Sequence, residues 1–94
     1  MTINQQVTLA EARCAKAFER IDAIALHNTE RVLQAFQKHE VAARHFSPTT
    51  GYGYDDIGRD TLEAIFADLF GVEAAIVRPQ IASGTHALSL CLFG

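Results

Sequence analysis

Ser83, Gly84 and Thr85, followed at once by His86, are the residues of this chain best suited to hold a small anion. They stand where a short apolar run, Ala74-Ala75-Ile76-Val77, has given way to a loop, and where the composition from His86 to Phe93 becomes that of a helix. The first turn of a helix presents backbone N–H groups with no intrahelical acceptor, and the helix dipole favours negative charge there. Two hydroxyls would add donors, and Gly84, lacking a Cβ, would let the backbone come close. The chemistry implied is phosphate binding. Ser and Thr also cap helices that bind nothing, so the tripeptide supports two readings, a plain N-cap and a phosphate cradle. His86 likewise reads either as a helix residue satisfied by a nearby carbonyl or as a contact at the edge of a bound group.

A second block lies upstream. Gly51-Tyr52-Gly53-Tyr54-Asp55-Asp56-Ile57-Gly58-Arg59-Asp60 concentrates Gly, Tyr, Asp and Arg between a Pro-Thr-Thr turn and an amphipathic segment. Loops of that composition more often bind something than merely connect. Tyr52 and Tyr54 read either as aromatic packing or as ligand contacts. Asp55, Asp56 and Asp60 suit the start of a helix, where acidic groups complement the dipole.

Tyr52 to Glu63, then Val77-Arg78-Pro79-Gln80, then Ser83 to Ala87, in this order and spacing, closely resemble the methionine gamma-lyase-like family, also described as a cystathionine beta-lyase family linked to aluminium resistance. The resemblance is weak from about Thr8 and strong from His45 onward. It implies the N-terminal portion of a fold-type-I (aspartate aminotransferase-like) enzyme dependent on pyridoxal 5'-phosphate. The implied fold class is α/β, mostly helical in this stretch, with Ala74–Val77 as one strand of a parallel sheet. The implied reaction, in a complete homologue, is elimination on a sulfur-containing amino acid by a homodimer or homotetramer. Ser83, Gly84, Thr85 and His86 would bind the cofactor, and Tyr52 and Tyr54 would reach the cofactor phosphate of a neighbouring subunit. The family pairs such a tyrosine with an arginine where this chain has Gly53, and Arg59 is the nearby cation.

Chemistry with that cofactor requires a lysine to bind it covalently and an acid to keep its ring nitrogen protonated. In the family both follow the Ser-Gly-Thr loop, beyond the position of Gly94. Lys16 and Lys38 lie in the early helical stretch and have no claim to the role. The chain therefore reads as half a cofactor cradle without a catalyst. The alternative is a non-catalytic helical interaction module whose apolar last segment, Leu88 to Phe93, docks on another chain; that segment ends with no polar terminus, as expected of a fragment, a truncated reading frame or a chain covered by another.

The elements that must position these residues follow from periodicity. Thr8-Leu9-Ala10-Glu11 fits a capping box, predicting a helix from Leu9 to about His27 after a loose Met1–Val7. Asn28 ends that helix or caps a second one over Thr29–Lys38, and Pro48 stops regular structure. Leu62, Ile65, Phe66, Leu69 and Phe70 share one helical face, with Gly71 placed for a left-handed C-terminal cap. The resulting organisation is a helical segment over residues 1–46 and, over 47–94, the start of the large cofactor-binding domain.

With 94 residues, 49% hydrophobic and 20% charged, the composition is that of a globular protein. A net charge of −3 with scattered basic residues argues against nucleic acid or an anionic membrane surface as partner. No apolar stretch approaches a membrane span, and no signal-peptide pattern opens the chain. Cys14 and Cys91, far apart on expected helices, read as small buried or half-buried thiols in a reducing cytoplasm, neither a disulfide nor a metal pair. His27, His39 and His45 make no close ligand set, so no metal is expected.

Overall fold

A computed structural model describes all residues, Met1–Gly94. In chain order the elements are α1 (Ile3–Lys38), a 3-10 helix (Ala43–Phe46), α2 (Ile57–Phe70) and α3 (Gly84–Phe93). The expected α/β architecture is therefore corrected: the chain is all-α and contains no strand. A strand is maintained by ladder hydrogen bonds to a neighbour, and Ala74–Val77 has none. The Val77 N–H is taken instead by a side chain, donating to Glu63 Oε2 at 2.9 Å.

α1 begins earlier and runs longer than the sequence predicts. Its start is fixed by Thr2: the Gln5 N–H donates to Thr2 Oγ1 at 3.2 Å, and the Thr2 N–H donates to Gln5 Oε1 at 2.8 Å. This is the reciprocal arrangement expected six residues later, at Thr8. Thr8 lies inside the helix, its hydroxyl donating to the Asn4 carbonyl at 2.9 Å. Asn28 does not interrupt the helix either. An asparagine costs a helix well under about 1 kcal/mol, and no Gly or Pro occurs before Pro48.

The chain divides into two compact units, Met1–Leu33 and Gln34–Gly94. The first consists of Met1, Thr2 and α1 as far as Leu33, and every residue in it is exposed, Phe18, Ile21 and Ile24 included. No helix of the chain is long and apolar enough to cross a membrane. Cys14 and Cys91, expected to be buried or half-buried, are both free and exposed.

The second unit holds the remaining elements. α2 packs against the 3-10 helix, and Gly58 makes that approach possible: a Cβ there would stand 2.4 Å from the His45 carbonyl oxygen. Asp56 caps α2, accepting from the Arg59 N–H at 3.1 Å, and Gly71 ends it in the left-handed conformation (φ 65°) expected from the sequence. Asp68, near the other end of α2, bonds to His39 at 2.5 Å and to Lys38 Nζ at 3.1 Å. Side chains buried from water are few, Ala35 and Ile65. The chain exposes 7895 Å², against about 5,400 Å² for a typical folded monomer of this mass.

With so little apolar burial, the ionic contacts carry much of the local order. Hydrogen bonds from Thr49 and from the Arg59 N–H hold Asp56 below its ordinary pKa of 3.8. Arg78, then the Val77 N–H, holds Glu63 below 4.5, and His39, then Lys38, holds Asp68 below 3.8. All three folded-state values are depressed, so their stabilisation is present above the unfolded values and is lost as the pH falls through the folded ones. The urea midpoint should therefore decline as the pH drops below 4.5, and Glu63→Gln should lower the neutral-pH midpoint while flattening that decline. Gly58→Ala should destabilise the second unit by about 1–3 kcal/mol through overpacking, against the gain of about 1 kcal/mol alanine brings to an unobstructed helix. Gly53→Ala, where a Cβ meets nothing within 4 Å, is the control and should change the urea midpoint little.

Candidate functional site

The four residues Ser83, Gly84, Thr85 and His86 form one structural device. Ser83 is the N-cap of α3, extended at φ −164° and ψ 170°, and its Oγ accepts from the His86 N–H at 3.1 Å. His86 answers by accepting the Ala82 N–H at its Nδ1, also at 3.1 Å. His86 stands at the position that Glu or Gln takes in a capping box, but its ring accepts from the residue before the cap and not from the cap itself. An accepting Nδ1 puts the proton of the neutral ring on Nε2. The partner of the His86 ring is a backbone N–H, where the sequence reading named a carbonyl.

The cap leaves the turn open to an anion. The Gly84 and Thr85 N–H groups, first in the helix, have no acceptor within the chain. The Thr85 hydroxyl has no protein partner either, whereas the Thr85 carbonyl accepts from Ser89 Oγ at 2.9 Å. Nothing lies within 4 Å of where a Gly84 Cβ would be, and the first turn contains no acidic residue. Ser83, Gly84 and Thr85 are exposed and His86 is half-buried. A hydroxyl offers one proton and two lone pairs. The cap uses a lone pair of Ser83, so its proton stays free to donate, and the capping and anion-binding readings are compatible.

Tyr52 and Tyr54 stand on the separate loop before α2, exposed by 65% and 99%. No hydrogen bond joins them to the Ser83–His86 turn. Their loop is nonetheless tied down. Arg59 Nη1 donates to the Gly53 carbonyl at 2.7 Å, and Thr49 Oγ1 donates to Asp56 Oδ2 at 2.7 Å. Gly51, at φ 79°, lies where a Cβ would come within 3.0 Å of Pro79 Cγ.

Two residues that position these features escape a reading of local spacing. Arg59 is legible as a nearby cation but not as an anchor of Gly53. Glu63 falls on the expected α2 helix, yet its partners, Val77 and Arg78, lie 14 and 15 residues away. Arg78 Nε and Nη2 donate to the two Glu63 oxygens at 3.2 and 3.3 Å. Glu63 thereby ties the segment that leads to Ser83 onto α2. An apolar cleft of about 220 Å³, lined by residues including Phe36, Val41, Phe46 and Leu62, contains none of the six sequence-predicted site residues.

Residues 3–94 match the methionine gamma-lyase family. An uncharacterised protein of Bacillus subtilis, YnbB, is 61% identical over 84 residues, spanning 89% of this chain and 20% of that protein. A Listeria innocua structure, assigned as a cystathionine beta-lyase involved in aluminium resistance, is 51% identical with a TM-score of 0.88, over 99% of this chain and 23% of that one. A Clostridium novyi structure, described as a carbon-sulfur lyase involved in aluminium resistance, is 43% identical with a TM-score of 0.81, over 92% and 21%. The chain spans about a fifth of the length of these relatives. By a family match that runs nearly from end to end, the chain belongs to the methionine gamma-lyase family.

Proposed function

We propose that this chain is the phosphate-binding portion of a pyridoxal-phosphate-dependent carbon–sulfur lyase of the cytoplasm, acting on sulfur-containing amino acids and incapable of catalysis alone. The observation that carries the reading is the first turn of α3, with the Gly84 and Thr85 N–H groups and the Thr85 hydroxyl unpartnered around a residue that has no Cβ. Family membership supports it, as do the relatives described as lyases involved in aluminium resistance.

The donor set fits a phosphate. Two backbone N–H groups and two exposed hydroxyl residues gather at a helix N-terminus, and no carboxylate stands in the first turn to repel an anion. When bound, pyridoxal phosphate would supply an electron sink for breaking bonds at the substrate's α-carbon. Ser83 and Thr85 would hold the phosphate by charge-assisted hydrogen bonds, Gly84 would admit it, and His86 would keep the turn in shape through Ala82. Tyr52 and Tyr54 would donate to the phosphate in a partner subunit of a homodimer or homotetramer. Lys16 and Lys38 both lie on α1, and Lys38 is paired with Asp68. The family resemblance assigns covalent attachment and the proton transfers of elimination to residues other than these two lysines.

Thr85→Val separates the phosphate reading from a purely structural one, because the Thr85 hydroxyl plays no part in the cap. In a full-length relative carrying this stretch, the loss of one hydrogen bond to a charged group, about 1.5–3 kcal/mol, should raise the pyridoxal phosphate dissociation constant by about one to two powers of ten. The apo melting temperature should hardly move. Ser83→Ala should lower both cofactor affinity and apo stability, the latter by about 1 kcal/mol for the lost cap. Unchanged cofactor affinity in both variants would exclude the phosphate role. For the tyrosines, mixing a Tyr54→Phe subunit with one lacking the cofactor-binding lysine should restore part of the activity in hybrid dimers. Hybrids that form without recovering activity would confine Tyr54 to its own subunit.

A further inference from the structure

We infer that Arg59 is a positioning residue that fixes the Tyr52–Tyr54 loop by holding the Gly53 carbonyl against the first turn of α2. The purpose of that order rests on the cofactor-binding reading of the two tyrosines; the order itself does not.

The geometry is specific. Arg59 is the third residue of α2 and its side chain is only 12% exposed. Its guanidinium divides between two partners: Nη1 donates to the Gly53 carbonyl at 2.7 Å, while Nε and Nη2 donate to Asp60 Oδ1 at 3.3 and 3.2 Å. Asp60 thus orients the fork, and the remaining nitrogen reaches the backbone between the two tyrosines. The Arg59 N–H is bonded to Asp56, whose second oxygen is held by Thr49. The loop is therefore fastened at its start by Thr49, at its middle by Arg59 and at its end by the Asp56 cap.

The side chains that this fastening presents are themselves free. No side-chain hydrogen bond or ring contact engages Tyr52 or Tyr54, and Tyr54 is 99% exposed. Asp55, directly after Tyr54, sits at φ 55°, a left-handed conformation that Asp tolerates but does not prefer. A Gly-rich loop has a wide choice of backbone states, and the carbonyl anchor at Gly53 removes most of them. Two aromatic hydroxyls on a restrained backbone lose less freedom on meeting a ligand than the same groups on a loose one. A lysine cannot substitute: its single ammonium lacks the planar fork that reaches Asp60 and Gly53 together.

Tyrosine fluorescence reads this directly, because the chain contains two tyrosines and no tryptophan. In the 94-residue chain, Arg59→Gln should add a fast local component to the tyrosine anisotropy decay, with helix content by circular dichroism unchanged. Arg59→Lys should behave in the same direction. Asp60→Asn, whose Oδ1 can still accept from Nε and Nη2 and so keep the fork aimed at Gly53, should leave the decay close to wild type, whereas a role confined to the Arg59–Asp60 charge pair would make it resemble Arg59→Gln. Backbone relaxation of the wild-type chain supplies a reading that needs no variant: the Gly53 and Tyr54 amides should show order parameters near those of rigid backbone, about 0.85, and values below about 0.6 would overturn the inference. An anisotropy decay unchanged in folded Arg59→Gln would overturn it equally. If the tyrosines are released in Arg59→Gln while Tyr54→Phe hybrids of the full-length relative form without recovering activity, the positioning role stands and the cross-subunit cofactor reading of the tyrosines fails.

Discussion

The second unit depends on the carboxylates of α2. Along that one helix, Asp56 secures the loop that arrives from Thr49, Glu63 secures the segment at Val77 and Arg78, and Asp68 secures the end of α1 through His39 and Lys38. Apolar burial contributes little beyond Ala35 and Ile65, so these polar ties, most of them near solvent, locate the flanking segments. Such contacts are individually weak and screened by salt. Here they matter by position: each fastens a different stretch of chain to the same rod. Arg59 adds to the set from the same helix, so the tyrosine loop and the approach to Ser83 are both referred to α2.

What could be read from the sequence depended on whether the cause was local. α2 was legible because its apolar spacing, its Asp56 start and its Gly71 stop all act within a turn or two. α3 was legible for the same reason, with Ser83 as cap. The length of α1 was misjudged because Thr2 and Thr8 both head a capping box, Thr2 with Gln5 and Thr8 with Glu11, and local chemistry does not choose between them. Asn28 is a weak breaker that yields to the helix around it. The strand assigned to Ala74–Val77 failed on a non-local matter. An apolar run becomes a strand only when another strand lies beside it, and here the neighbour is the carboxylate of Glu63.

The candidate site divides along the same line. Ser-Gly-Thr before a helix speaks for itself, and the structure adds that its cap and its free donors coexist in one turn. That His86 supports the cap from Nδ1 could not be read, since histidine is not the residue expected at that place. The anchoring of Gly53 by Arg59 was hidden because Arg59 had an obvious acidic neighbour in Asp60 and no signal pointing back to a glycine carbonyl.

The exposed stretch of α1 has a consequence for motion. From Ile3 to Leu33 the helix contains no buried residue. A helix that buries no residue opens by fraying and by local helix–coil steps. Amide protons along that stretch should therefore exchange with solvent at rates set by position along the helix, slowest in its middle. Those of α2 should exchange only as fast as the ties to Arg59, Glu63 and Asp68 let go. One short chain then holds two kinds of helix, one governed by its length and the other by its attachments.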